Sequence, residues 1–215
     1  MRIVDLSHVI TSDMPVWPGT SPPEFSEICT IARDGFAEQS ISISSHTGTH
    51  IDAPAHIIDG GASIDTLDIG RFFGKALLVD LYSQPGGSIP VEALRPFAPL
   101  IEQSDFLLLH TGWSRFWGQG GYDRDYPVLS AGAASWIAGF SLKGVGIDAP
   151  SFDLSGSDDY PVHRCLLAEG ILLIENLTNL DRLNEDLFFL SVLPLGIVGA
   201  EASPVRAVAL LEPFA

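Results

Sequence analysis

Apolar residues come in short bursts along this chain, separated by turn-forming residues. Lys75–Tyr82 (KALLVDLY) and Asp105–His110 (DFLLLH) are apolar runs of buried-strand length, and Gly144–Asp148 (GVGID) is a shorter one. Ile171–Asn176 (ILLIEN), Phe188–Leu195 and Val205–Leu211 read as further strands, and residues 2–10 as an opening strand. Residues 24–32 and 38–45 alternate well enough to be strands too, whereas residues 11–23 form a proline-rich loop. Helices are predicted over 90–98, 130–139 and 161–169, with Ser130 placed as an N-cap and Pro161 as a first-turn proline. Several strands with a few short helices give an α/β fold, with mixed strand directions favoured over a purely parallel sheet. Periodicity does not fix the strand order. With no internal repeat, low-complexity tract or linker, 215 residues suit one domain spanning 1–215.

Composition sharpens this. At 46% hydrophobic and 18% charged residues a large core is easily built, and 21 glycines with 15 prolines fit many turns and short strands. The formal charge of −16 excludes nucleic acid, because no basic stripe could neutralise phosphates, and argues against docking on anionic membranes. Asp5 interrupts the N-terminal segment early and no apolar run reaches about 18 residues, so neither a signal peptide nor a membrane span is expected. Cys29 and Cys165 are the only cysteines, far apart and in no CxxC pair. The expectation is a soluble protein of the cytoplasm.

The chemistry concentrates in His46–His56 (HTGTHIDAPAH), which holds three of the six histidines with Asp52 between the second and third. Imidazole nitrogen and carboxylate oxygen are the donors that zinc, manganese and iron accept. In a strand, His46, Gly48, His50 and Asp52 would share one face. A straight strand nevertheless sets residues four apart roughly 13 Å from each other. Two nitrogens on one metal can be no more than roughly 4.2 Å apart. The chain must therefore bend between His46 and His50, and Gly48 permits it. A helix is the poorer solution, given β-branched Thr47, Thr49 and Ile51, central Gly48 and the following Pro54.

Further donors are needed. His163 opens a predicted helix, and Glu175 sits in the apolar run ILLIENL, where a carboxylate is costly unless paired or bound to a cation. His46, His50, Asp52, His163 and Glu175 suffice for two metals if Asp52 bridges them. His8 and His110 read as ordinary hydrogen-bonded or solvated histidines, and Cys165 as core packing. Trp113 and Trp117 flank a glycine-rich loop (118–121) that reads as packed rather than as a pocket wall. That loop has no GxGxxG or P-loop form, so phosphate binding is not expected. Asp148 and Asp153 read as loop-positioning residues.

The HTGTHIDAPAH segment resembles the His-x-Gly-x-His-x-Asp-x-Pro-x-His signature of the cyclase family of metal-dependent hydrolases, which includes bacterial kynurenine formamidase and is similar to isatin hydrolase. The likeness covers nearly the whole chain: DLSH near the start, the PVWPG loop, GIDAPS (146–151), HRCLLAEGILLIENL (163–177) and ASPVRA (202–207) follow in the expected order. The resemblance implies a swivelling β/β/α fold, a mixed sheet core with short helices, and a homo-oligomer, dimer or tetramer. It implies a divalent-metal site, two zinc ions with manganese as the alternative. His46, His50 and Asp52 would bind the first ion, and Asp52, His163 and Glu175 the second. It gives His56 the role of proton donor and acceptor, and Trp17 that of packing on the substrate's aromatic ring. By the same likeness Arg206 forms a structural ion pair with a strand-end carboxylate. Thr49 in Gly-Thr-His, Val162 before His163, and Glu201 in place of the commoner aspartate depart from the formamidase pattern without removing a ligand.

The implied reaction is arylformamidase-type cleavage of an amide C–N bond, N-formyl-L-kynurenine giving L-kynurenine and formate. A hydroxide generated at the metals would attack the carbonyl carbon, with His56 shuttling the proton to the leaving nitrogen. The alternatives are a hydrolase or cyclase for another cyclic amide or a lactone, as in isatin hydrolase, and a catalytically silent metal-binding protein. A Ser-His-Asp hydrolase is disfavoured because no GxSxG elbow is present.

Overall fold

The computed structural model describes residues 2–82, 87–184 and 186–211. Its strands are β1 (Arg2–Asp5), β2 (Glu24–Cys29), β3 (Glu38–Ser42), β4 (His50–Asp52), β5 (Phe73–Asp80), β6 (Ser88–Ile89), β7 (Phe106–His110), β8 (Val128–Leu129), β9 (Gly144–Ile147), β10 (Leu172–Glu175), β11 (Leu187–Ser191), β12 (Ala202–Pro204) and β13 (Val208–Leu211). The α-helices are short: α1 (Ile31–Asp34), α2 (Val91–Leu94), α3 (Ala98–Ile101), α4 (Ala131–Ile137) and α5 (Pro161–Ala168).

Nine strands form one mixed sheet in the order β1-β13-β11-β5-β7-β9-β10-β4-β12. Its centre, β5-β7-β9-β10, is parallel, and the flanking pairs are antiparallel. The parallel strands are buried on both faces, which is why their sequences read as apolar runs and not as alternation. One core lies on each face of the sheet. Leu77, Leu107, Leu109, Val145 and Leu173 face α4 and α5. Ala76, Phe106, Leu108, Ile51 and Ile174 face the other way, onto Phe72, Leu177 and Leu190. The α/β class and mixed strand directions are as the sequence indicates.

Local details differ. The opening strand stops at Asp5, because the Ser7 amide turns to Asp5 Oδ1 and the His8 amide to Thr49 Oγ1. The helix expected over 90–98 is α2 and α3 joined by a 3-10 turn at Arg95–Phe97, which contains Pro96. Ser130 does cap α4, its Oγ accepting from the Ala133 amide at 3.0 Å. Residues 24–32 and 38–45 supply β2 and β3, but these pair only with each other, outside the main sheet, and residues 31–34 are helical. Arg206 donates to both carboxylate oxygens of Asp5 at the end of β1, the expected ion pair. No helix among the described residues is long and apolar enough to cross a membrane.

Candidate metal centre and active site

The bend demanded by the His46–His50 spacing is present. Gly48 adopts φ +65°, the left-handed region that a side chain would strain, just before β4 begins. The turn ahead of it is closed by the Thr47 amide donating to the Ser44 carbonyl at 3.1 Å. The imidazole centroids of His46 and His50 are thereby only 5.0 Å apart.

Strand pairing places the next donors. His50 and Asp52 project from one face of β4, and β10 runs antiparallel beside it with Glu175 opposite His50. That is the face against which α5 packs, burying Val162, Leu166 and Leu167, so its first turn brings His163 over the two strands. His50 Nε2 lies 3.3 Å from Glu175 Oε2 and 3.6 Å from Asp52 Oδ1. His163 Nε2 lies 3.2 Å from Glu175 Oε1 and 3.8 Å from Asp52 Oδ2. His46 Nδ1 is 3.0 Å from Asp52 Oδ1. Four side chains drawn from residues 46–175, His46, His50, His163 and Glu175, therefore meet around the fully buried carboxylate of Asp52.

The two inner imidazoles are held from behind. His50 Nδ1 sits 2.8 Å from the Gly48 carbonyl, which also accepts from Asn176 Nδ2 at 3.1 Å. Asn176 is fixed in turn by the Tyr122 hydroxyl, which donates to its Oδ1 at 2.9 Å. His163 Nδ1 sits 2.8 Å from Asp153 Oδ2, and the Asp153 carboxylate also accepts the backbone amides of Val162 and His163. Both rings thus point Nε2 at Asp52 and Glu175.

Electrostatics follow the geometry. Burial alone would lower the pKa of His50, but Asp52 and Glu175 outweigh it and raise it to about 9. For His163 burial is likewise overcome, by Asp153 and Glu175, and its pKa is raised to about 10. Burial pushes Asp52 and Glu175 up, yet the facing imidazoles win and hold both carboxyls below the ordinary range. His56 behaves oppositely: burial lowers its pKa, because the neighbouring carboxylates are too weakly felt to offset it.

These donors fit a divalent metal ion. His50 Nε2 and both oxygens of Asp52 are buried with no well-aligned hydrogen-bond partner. Burying such groups unpaired is costly, and a cation would satisfy them together. Ligand atoms of His50, Asp52 and Glu175 lie within 4.8 Å of one another, as do those of His46, Asp52 and His56, so Asp52 belongs to both groups. The mixed imidazole and carboxylate set suits zinc, manganese or iron.

The donors open into a cavity of about 650 Å³ that also exposes Trp17, His56, Tyr160, Arg164 and Asn176. His56 packs its ring 4.4 Å from that of His46 and 5.8 Å from that of His163. Trp17 is partly buried, lining the cavity and packing against the core. The glycine-rich loop is packed, as expected: Trp113 Nε1 donates to the Tyr122 carbonyl and Trp117 stacks on His8 at 3.9 Å. The same loop nevertheless lends Gln119 and Gly121 to the cavity wall. His110 lies apart, paired with Asp80. Asp148 anchors the 111–114 turn, accepting from the amides of Thr111 and Gly112. Tyr122 and Asn176 are not singled out by sequence reading, and Asp153 has more to do than position a loop. The one available signal for Asp153 is an acidic residue ahead of a helix that opens with a ligand-type histidine.

Comparison with known proteins gives concordant results. A family model described as "Putative cyclase" matches residues 4–154. A protein of Bacillus cytotoxicus named kynurenine formamidase is 32% identical over 206 residues, 95% of each chain. The solved structure of isatin hydrolase A from Ralstonia solanacearum superposes with a TM-score of 0.88 at 26% identity, covering 98% of this chain and 92% of that one. A structure described as a predicted metal-dependent hydrolase from Bacillus stearothermophilus reaches 0.81 at 28% identity, covering 97% of each.

Proposed function

The chain belongs to the cyclase family of metal-dependent hydrolases, and we propose that within it this protein is an arylformamidase-type enzyme that hydrolyses N-formyl-L-kynurenine to L-kynurenine and formate. The observation that carries the reading is Asp52: a carboxylate with both oxygens buried and without a well-aligned hydrogen-bond donor, ringed by His46, His50 and His163, which line an aromatic-walled cavity. We assign His46, His50, Asp52, His163 and Glu175 as ligands of two divalent ions, zinc before manganese, with Asp52 shared. Ions held there would polarise the formyl carbonyl and bring the pKa of water from 15.7 down to about 7.

The protein's own groups supply the rest. His56, neutral at pH 7 because burial lowers its pKa, takes a proton from the attacking water and returns it to the leaving aniline nitrogen. One water is consumed, the C–N bond breaks, and amine and formate leave. Trp17 packs against the aromatic ring of the substrate and presents the formamide to the floor of the cavity. Gly48 and Asp153 keep the inner imidazoles aimed, so little reorganisation accompanies the reaction. We further read the protein as a homo-oligomer of the cytoplasm, a reducing compartment in which Cys29 and Cys165 stay free.

The close superposition on isatin hydrolase A favours one second reading, hydrolysis of a cyclic amide. Initial rates on N-formyl-L-kynurenine, formanilide, isatin and an aromatic lactone separate the two. N-formyl-L-kynurenine should give the highest kcat/KM. A higher value for isatin would overturn the substrate assignment, and no turnover of any amide would overturn the enzymatic one.

A further inference from the structure

We propose that Arg164, at the rim of the cavity, is the receptor for a carboxylate on the substrate, and that it thereby selects aryl formamides carrying an α-amino-acid tail. The inference rests on the arylformamidase reading above and adds to it a specificity-determining residue.

Arg164 directly follows the ligand-type His163 in the first turn of α5. One residue on is a rotation of about 100° around a helix. Arg164 therefore leaves the buried face and reaches solvent, while still lining the cavity. Among the described residues it is the only lysine or arginine in that lining. Its guanidinium is already aimed. Nε donates to the Asp159 carbonyl at 2.9 Å and Nη1 to the Ile57 carbonyl at 3.3 Å. Ile57 ends the 3-10 turn that carries His56, and Asp159 lies just ahead of α5, so the group is tied to the supports of both histidines. Both acceptors are neutral. Asp34 takes Arg33 and Asp5 takes Arg206, but no carboxylate among the described residues pairs with Arg164. A guanidinium carries five N–H donors in a rigid fork that matches a carboxylate. Two are spent on the carbonyls, which leaves both donors of Nη2 and one of Nη1 for a ligand.

The loop ahead of α5 is shaped toward the same cavity. Tyr160 lines it with φ +45°, a left-handed value rare for a bulky side chain. Strain of this kind gathers at ligand clamps. Charge then chooses among anions. The chain carries 27 acidic residues against 11 basic ones, and Asp123 and Asp158 line the cavity as well. A simple anion such as phosphate is repelled by them. A zwitterion is not, because its ammonium meets those carboxylates while its own carboxylate meets Arg164. An α-amino acid carries the two charges on neighbouring atoms of one carbon. With the formamide at His50, Asp52 and Glu175 and the ring against Trp17, the amino-acid side chain ortho to the formamide is the part of N-formyl-L-kynurenine left to reach the rim.

Initial rates on N-formyl-L-kynurenine and on its methyl ester, with zinc-loaded wild type and Arg164→Gln, test this. A hydrogen bond to a charged group is worth about 10–100-fold. The wild type should favour the acid over the ester by that factor in kcat/KM, chiefly through KM, and Arg164→Gln should lose the preference. Equal wild-type values for acid and ester overturn the carboxylate receptor and leave the arylformamidase reading standing. A variant that keeps the preference, however slow on both substrates, makes Arg164 a strut between Ile57 and Asp159 and overturns the proposal. Should Arg164→Gln not fold, Arg164→Lys keeps the charge without the fork and should show a reduced preference, an undiminished one overturning the assignment. Should neither formyl compound turn over, the arylformamidase reading fails, and calorimetry of L-kynurenine and its methyl ester on wild type and variant decides for the receptor alone. Tighter binding of the acid by wild type only is expected, and equal binding of acid and ester overturns it.

Discussion

At the scale of single residues, the two inner histidines divide their ring nitrogens between support and site. His163 Nδ1 is committed to Asp153, a buried carboxylate that also receives two amides at the start of α5. Asp153→Asn keeps the volume but weakens that grip, and partners of this kind are worth about 10–100-fold in metal affinity. Competition with a chromophoric chelator should read such a loss for zinc. Unchanged affinity with a lower melting temperature would reduce Asp153 to a helix cap. His56 gives a second prediction. His56→Ala should keep its metal and lose about 10²–10⁴ of turnover. Burial lowers the pKa of His56, so the free base persists further into acid than an exposed imidazole would. The acid limb of kcat/KM should therefore fall below pH 6.5 in the wild type and vanish in the variant. A limb at or above that value would mean another group supplies the base.

At the scale of elements, the bend ahead of β4 is the feature on which the donors depend. A side chain at Gly48 would have to adopt φ +65° with its Cβ 3.4 Å from Met14 Cε. Gly48→Ala should cost about 1–2 kcal/mol, the penalty for an L-residue in the left-handed region, read as a lower denaturant midpoint. Bound metal should fall with it, because the Gly48 carbonyl aims His50. Retained metal at full occupancy would show that the turn tolerates a side chain without moving the ligands. The bend was legible because chemistry and geometry conflict within one short segment: ligands four apart cannot share a metal on a straight strand. The central strands were legible too, since burial on both faces writes a continuous apolar run. The hairpin of β2 and β3 was only half legible, because alternation marks side chains that could be buried and not what lies against them. Tyr122 and Asn176 were not legible at all: the hydrogen bond from Asn176 to Gly48 spans 128 positions, and nothing local marks Asn176 or Tyr122.

At the scale of the whole molecule, the site and the fold are coupled by charge. Asp52 and Glu175 raise the pKa of His50 to about 9, and Asp153 and Glu175 raise that of His163 to about 10, so both rings are protonated at neutral pH. A cation that takes their Nε2 atoms must displace those protons. Zinc binding should therefore release protons at pH 7, and affinity should strengthen as pH rises toward 9. Calorimetry in buffers of different ionisation enthalpy measures this directly, and uptake independent of buffer would contradict the assignment of both rings as ligands. The same ions bind only the folded chain, so chelation should lower the melting temperature. One measurement bears most directly on the central claim: the rate of N-formyl-L-kynurenine hydrolysis by chelated protein as zinc is added back. The account predicts a rate near zero without metal, rising to a plateau at two equivalents per chain. A chelated protein as fast as the reloaded one would contradict it.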